Sequence, residues 1–473
     1  MDTNQASIKK HYDLIVIGSG AGTKLVRPVA SLGKKVAIIE RESLGGTCLN
    51  KGCIPSKMLL HPAEILHQIA DAHRFHIQAS TPQINANSLL KEVFSTIDAE
   101  SESIEPLYSS DPNIDLYRAT ARFVGEKVID VNGELISADK VVIATGALPH
   151  IPKIPGLKKT PYWTYQEVMR LKELPKSLTV LGTGFIGVEL GFFFAQMGVE
   201  VTFLARSHLL SKEDADIRQC FTEKFCKTHH VHFDTEVLSV DFDQAKSQFN
   251  IQVSGNNQQV ECLHSDALLV ATGIKANVES LAVDRSGIGL DAATGFITVD
   301  QYLQTSCKDV YAIGDCTGKY FFRHSANFEG QWLFESLFGS HKARSPITYP
   351  PMPHAVFSSP QIASVGPTEE ELKRDQIEYI CVKQKYCNSA MGMALKSEGD
   401  FIKLLCSPST QKILAVHIIG HEAANLLHIP LSFMHLGATV QELADMVYVH
   451  PALAEVVRNA ARKTISMIQE GKQ

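Results

Sequence analysis

The chain has 473 residues, 44% hydrophobic and 20% charged, a composition that excludes disordered and collagen-like proteins. At about 150 residues per domain, roughly three domains are predicted. Lys and Arg total 45 against 51 Asp and Glu, a net charge of −6, so there is no basic footprint for nucleic acid or an anionic membrane.

Lys9 and Lys10 precede a short apolar run that Asp13 interrupts, which does not read as a secretory signal. Apolar stretches such as Phe192 to Ala195 fall far short of the ~20 residues of a membrane span. A cytoplasmic protein is therefore expected. In that setting a close cysteine pair points to catalysis or metal binding rather than to a structural staple.

In chain order, Tyr12-Asp-Leu-Ile-Val-Ile-Gly18 reads as a buried parallel strand entering a tight turn, Gly18-Ser-Gly20-Ala-Gly22-Thr23. Thr23 stands where a G-x-G-x-x-G pattern has its third glycine, and the helix that follows contains Pro28. Interior proline costs ~3 kcal/mol or forces a kink, so this helix is expected to start late or bend. The next strand, Val36 to Glu40, ends in a carboxylate suited to an adenosine ribose.

Gly45-Gly46-Thr47-Cys48-Leu-Asn-Lys-Gly52-Cys53-Ile-Pro-Ser-Lys57 follows. Cysteines five apart beside a nucleotide turn suit electron exchange between a flavin, a thiol pair and an external disulfide. Zinc is disfavoured because no second pair with ligand spacing follows, and no metal site is predicted. Val141-Val-Ile-Ala-Thr145-Gly146 is a further buried strand. Pro149, Pro152 and Pro155 then make a rigid connector.

The design returns at Leu178 to Gly182. Gly182-Thr-Gly184-Phe185-Ile-Gly187 is a complete G-x-G-x-x-G between strand and helix, able to receive a pyrophosphate at the helix N-terminus. From first glycine to the glycine after the helix this unit spans 17 residues, Gly182 to Gly198, against 16 for Gly18 to Gly33. Its second strand, Val201 to Ala205, has alanine opposite Glu40 and then Arg206. Loss of the acid and gain of a guanidinium favour a 2′-phosphate, hence NADPH over NADH. Leu268-Leu-Val-Ala-Thr-Gly273 repeats the later strand. His229, His230 and His232 are read as a solvated strand entry. The eight cysteines other than Cys48 and Cys53 are read as small buried hydrophobes.

Pro346, Pro350, Pro351 and Pro353 set off a C-terminal part, alternating over Phe401–Leu405 and Ile413–Ile419 and helical from about Glu422. The predicted fold is α/β, with two doubly wound nucleotide-binding domains plus an α+β dimerisation domain.

The cysteine string resembles the active-site segment of the pyridine-nucleotide disulfide oxidoreductases. Ala312-Ile-Gly314-Asp315, Pro353 to Pro360 and Val449-His450-Pro451-Ala-Leu-Ala-Glu455 resemble further motifs of that family in the same order. The resemblance implies a discontinuous FAD-binding domain at 1–155 and 280–348, an NAD(P)-binding domain at 156–279 and an interface domain at 349–473. It implies FAD at Gly18, Gly20, Gly22, Glu40, Gly46, Thr47, Thr145, Gly146 and Asp315. It implies NAD(P) at Gly182, Gly184, Phe185, Gly187, Arg206 and Gly273, with Phe185 as a gate over the flavin.

Cys48 would attack the substrate disulfide and Cys53 would contact the flavin, with the Lys57–Glu189 pair beside it. His450, oriented by Glu455, would serve Cys48 of the other subunit in a homodimer. The nominal activity is that of a dihydrolipoyl dehydrogenase, with a lipoyl domain as a candidate partner. The alternative is an NADPH-dependent reductase of a low-molecular-weight disulfide or of a metal ion. The latter is disfavoured because no cysteine pair lies near Gln473. A flavin electron carrier with idle thiols, or a complex-bound subunit, is the reading from another class.

Overall fold

The computed structural model describes residues 8–255, 259–339 and 345–471. Strand Lys10–Ile17 lies parallel between Val36–Ile39 and Glu134–Ile143, in register Leu14 with Val36 and with Lys140. Leu14, Ile15 and Val16 have no exposed surface. A strand covered on both faces needs a continuous apolar run rather than alternation, and this one has it. Ile114–Tyr117 extends the parallel edge, and Val310–Ala312 returns from late in the chain to pair with Glu134–Ile143. With the antiparallel strands Ala121–Gly125 and Val128–Val131, these form a seven-stranded sheet within the described residues.

The second parallel sheet has the order His230–His232, Glu200–Leu204, Ser177–Leu181, Ala267–Val270. A three-stranded antiparallel sheet of Glu236–Asp243, Gln248–Ser254 and Val260–Ser265 lies between its last two strands in sequence. The C-terminal part is a five-stranded antiparallel sheet packed by helix Glu455–Glu470, whose Val456, Val457, Ala460 and Ala461 are fully buried. The α/β and α+β architecture expected from the sequence is the one present. Among the described residues no helix is long and apolar enough to cross a membrane.

The two nucleotide turns differ in a way that corrects the reading of Thr23. A Cβ on Gly187 would lie 2.1 Å from Gly182 O and 3.4 Å from Ala271 Cβ. In the first turn the matching contacts belong to Gly22, where a Cβ would lie 2.7 Å from Gly18 O and 3.2 Å from Ala144 Cβ. Gly22 is thus the third glycine, and the missing residue was lost between Gly20 and Gly22. Thr23 instead begins the helix, its Oγ1 donating to Gly20 O at 2.8 Å. That helix, Thr23–Ala30, begins late and carries Pro28 inside it, whereas its counterpart is the 12-residue helix Phe185–Gln196.

Two minor readings are also corrected. His229 is 8% exposed, its ring stacked on Phe225 at 3.9 Å and edge-on to Phe203, so helix-to-strand packing buries it. Of the eight other cysteines only Cys307, Cys316 and Cys406 are buried, and Cys226 is exposed. The remaining four lie on half-covered faces that the local sequence does not distinguish from core.

The nucleotide unit is fixed to the C-terminal sheet by a buried charge cluster. Lys403, 1% exposed, donates to both oxygens of Asp214 at 2.8 and 2.9 Å and pairs with Asp216 and Glu369 at 2.6 Å each. Next to it, Glu213 accepts from His354 and from Ser364 Oγ. Removing one partner would leave a buried charge uncompensated, at a cost of about 3–5 kcal/mol.

Gly22→Ala should destabilise the first unit by about 1–3 kcal/mol, because the methyl would meet backbone as well as Val16. Thr23→Gly should give no stabilisation. Urea midpoints of the two variants test this, and stabilisation by Thr23→Gly would restore Thr23 to the third-glycine position.

Candidate functional site

Gly45 and Gly46 both have positive φ, 99° and 67°. A Cβ on Gly46 would lie 2.7 Å from Gly20 Cα, so glycine lets the cysteine segment press directly onto the first nucleotide turn. Cys48 sits in the short helix Gly46–Asn50, and Cys53 is the first residue of helix Cys53–Asp71. The thiols are free and in hydrogen-bond contact.

Their environments push them apart. The hydrogen bond from Cys48, with the Lys57 and Arg323 charges, lowers Cys53 to about 7 against the opposing effect of burial. Cys48 is pushed well up by the same hydrogen bond and by burial. Cys53 thus holds the negative charge and Cys48 the proton. A helix N-terminus adds to this, since its unpaired N–H groups favour an anion.

One turn along the same helix, Lys57 Nζ donates to Glu189 Oε2 at 2.8 Å and lies 4.5 Å from the Phe357 ring centre. Glu189 comes from the second nucleotide helix and is 5% exposed; its other oxygen accepts Phe357 N–H at 2.9 Å. Burial pushes the Glu189 carboxyl upward, with Lys57 opposing it.

Both nucleotide turns open into one cavity of about 2180 Å³, well beyond the ~300–1,000 Å³ of a single-ligand pocket. Gly18, Gly20, Glu40, Gly46, Thr47, Thr145, Gly146 and Asp315 line it at one end, and Cys53, Lys57 and Glu189 lie between. Gly182, Gly184, Phe185, Arg206 and Gly273 line it at the other. Phe185 is 43% exposed within it. Gly22 and Gly187, both expected to bind cofactor, do not line the cavity; each serves the close helix–strand contact described above.

At the first end Glu40 accepts Ser19 N–H and Oγ–H, at 2.9 and 2.7 Å. Burial, with Glu329 nearby, raises Asp315 to about 6, and Glu329 itself accepts Gly314 N–H at 2.6 Å. Among the described residues, the buried side-chain oxygens of Thr145 and Asn50 have no hydrogen-bond partner. These groups fit a dinucleotide, with its phosphates at the glycines and its hydroxyls available to the unpaired oxygens and the two acids. At the second end Ala205 is buried, and Arg206, His208 and Lys212 are cations or potential cations along the wall.

His450 stands apart from this cavity, its side chain 70% exposed on the C-terminal unit near exposed Val447 and Val449. Its Nδ1 bonds both oxygens of Glu455, at 3.0 and 3.1 Å. The buried Glu455 also accepts Arg458 Nη2 at 2.8 Å and Ala452 N–H at 3.3 Å. Although burial opposes it, the His450 and Arg458 contacts hold the carboxyl below the ordinary range.

Four members of this arrangement were missed in the sequence. Arg458 lies one helical turn after Glu455, a spacing that could have flagged it. Glu329 and Arg323 reach the site through tertiary packing and had no local signal; Phe357 lies in the Pro353 to Pro360 segment, which did not show that its N–H would meet Glu189.

The geometry brings a thiol pair, the Lys57–Glu189 ion pair and two glycine turns of the dinucleotide-binding kind around one cavity. The pyridine nucleotide-disulphide oxidoreductase family model matches residues 12–330, and the model of its dimerisation domain matches 352–461. The chain belongs to this family, whose members use FAD and NAD(P)H. It is 33% identical to mycothione reductase of Mycobacterium tuberculosis (strain H37Rv) over 95% of this chain and 98% of that protein. It is 32% identical to mercuric reductase of Lysinibacillus sphaericus, over 95% and 82% of the respective chains. With dihydrolipoyl dehydrogenase of Chlorobaculum parvum it shares 30% identity, over 96% and 97%. The structure of the HOCl-induced flavoprotein disulfide reductase RclA from Escherichia coli superposes with a TM-score of 0.83 at 26% identity. That match covers 95% of this chain and 99% of the other.

In the reduced protein, alkylation of Cys53 by iodoacetamide should rise with pH through about 7 as the thiolate forms. Lys57→Met removes a positive charge, so the midpoint should move to higher pH, as followed by peptide mass spectrometry. An unchanged midpoint would mean that Lys57 does not act on the thiolate.

Proposed function

We propose that this protein is an NADPH-dependent, FAD-containing reductase of a low-molecular-weight disulfide. The observation that carries the reading is the single cavity joining both nucleotide turns, with Cys53 and the Lys57–Glu189 pair between them. Residues 1–155 with 280–348, 156–279 and 349–473 form the FAD, nucleotide and interface domains in this reading, within a cytoplasmic homodimer. Bound FAD supplies two-electron transfer between the nicotinamide and the thiol pair.

The first turn with Glu40 and Asp315 holds FAD, and Gly182 to Gly187 with Arg206 holds NADPH. Phe185 is the gate over the flavin. Two electrons and two protons convert the Cys48–Cys53 disulfide to a dithiol. His450 of the partner subunit takes the proton from Cys48, whose sulfur attacks the substrate disulfide. One sulfur–sulfur bond breaks, a mixed disulfide forms, and His450 of the partner subunit returns that proton to the departing thiolate, while the proton given up by Cys53 goes to the second thiol. Cys53 thiolate attacks the mixed disulfide at Cys48, restores the internal bond and releases the second thiol. Glu455, bonded to Nδ1, fixes the orientation of the imidazole and leaves Nε2 for the thiol.

The second reading is oxidation of dihydrolipoamide by NAD⁺, with a lipoyl domain as partner. It is favoured by the full-length similarity to a dihydrolipoyl dehydrogenase. Ala205 and Arg206 count against it at the nucleotide site.

Turnover of a panel of small disulfides, mycothione included, with NADPH and NADH distinguishes the two readings when run beside NAD⁺ reduction by dihydrolipoamide. Arg206→Ala should lower kcat/KM for NADPH by about 10- to 100-fold and leave NADH nearly unchanged. Rapid dihydrolipoamide turnover with NAD⁺ would overturn the first reading.

The shared site has its own test. Cys48→Ser and His450→Ala should each be inactive alone, but mixed subunits should regain about a quarter of wild-type activity, because each heterodimer keeps one intact site. Failure to regain activity would place Cys48 and His450 in the same subunit's site.

A further inference from the structure

Arg323 opens the helix Arg323–Phe338 and lines the cavity at the first nucleotide turn. A Cβ on Gly20 would lie 3.7 Å from Arg323 Nη1, whereas nothing lies within 4 Å of the corresponding point on Gly184. Arg323 is half-buried, yet its guanidinium makes no hydrogen bond or ion pair among the described residues. Five fixed donors without an acceptor are costly in a partly dry cavity, so the site calls for an anion.

The helix that carries Arg323 is fixed over the turn. A Cβ on Gly330 would lie 3.0 Å from Lys24 Cβ and 3.2 Å from Ala21 O, so the two helices touch through that glycine. The first turn also needs more help than the second. Its helix has 8 residues with Pro28 inside, against 12 in the second unit, and it begins five positions after Gly18 rather than three after Gly182. A shorter, interrupted helix directs fewer aligned dipoles at a phosphate.

We propose that Arg323 is a ligand to the cofactor pyrophosphate at the first nucleotide turn, supplying the positive charge that the shortened helix lacks. This rests on the assignment of FAD to that turn. A guanidinium fork suits two adjacent phosphate oxygens better than a lysine point charge does. The same charge acts on Cys48, Cys53 and Asp315: it adds to the lowering of Cys53 and opposes the burial that raises Cys48 and Asp315. Tuning of the thiols is therefore the rival role.

The test titrates the full-length deflavo-protein with FAD and, separately, with ADP, which carries the diphosphate without the flavin. Wild type, Arg323→Gln and Arg323→Lys are compared at low and high salt. Arg323→Gln should weaken both ligands by about 10- to 100-fold, with Arg323→Lys intermediate and the gap narrowing in salt. Unchanged FAD and ADP affinity in Arg323→Gln would overturn the proposal, and an accompanying shift of Cys53 alkylation to higher pH would assign Arg323 to the thiols. Weakening of FAD but not ADP would also overturn it, moving the contact to the flavin half. A wild-type protein that binds no FAD would remove the underlying assignment instead.

Discussion

The carboxylate of Glu189 is the point on which the three parts of the molecule meet. It belongs to the helix Phe185–Gln196, pairs with Lys57 on the helix Cys53–Asp71, and accepts the Phe357 N–H from the C-terminal part. A buried acid is expensive unless ionised against a partner and hydrogen-bonded on its other oxygen, and Glu189 has both. The same arrangement keeps Lys57 one turn from Cys53 rather than free in solvent. Lys57 thereby links domain arrangement to thiol chemistry. The buried Lys403 cluster makes a second link between the nucleotide unit that carries Glu189 and the C-terminal part.

The two nucleotide units show how one steric requirement can be met by different sequences. Each turn needs a residue without a side chain where helix start meets strand end. Gly187 meets it at the full spacing and Gly22 at a spacing one residue shorter. The shortening then appears in the helix, which begins late and tolerates Pro28 because so little of it remains to be interrupted. The fold absorbs a deletion at the most constrained turn by reassigning a neighbouring glycine.

Charge is distributed so that the two cysteines are chemically different before any substrate arrives. Cys53 sits at a helix N-terminus with Lys57 and Arg323 acting on it, while Cys48 is left with the proton. On the far side of the chain, Glu455 is shared between His450 and Arg458. An exposed imidazole thus stands on a buried, fully engaged carboxylate, oriented toward whatever covers that face.

Much of this was legible in the sequence because it is local. Continuous apolar runs marked the parallel strands, glycine spacing marked both nucleotide turns, and Cys48, Cys53, Lys57, His450 and Glu455 lie within short motifs whose spacing is their chemistry. Counting residues detected the deletion but could not say which glycine replaced the third one. That depends on where the Gly18 carbonyl and Ala144 lie in space. His229 looked solvated because its aromatic neighbours, Phe203 above all, are distant in sequence or on another element. Arg323 and Glu329 come from a segment far along the chain and carry no motif, and the Pro353 to Pro360 segment did not show that the Phe357 N–H reaches Glu189. The sequence determined which groups can do chemistry, since that follows from residue type and local spacing. Tertiary structure decided which of them share a cavity and what charge each one feels, because desolvation and Coulomb energy depend on distances that only packing sets.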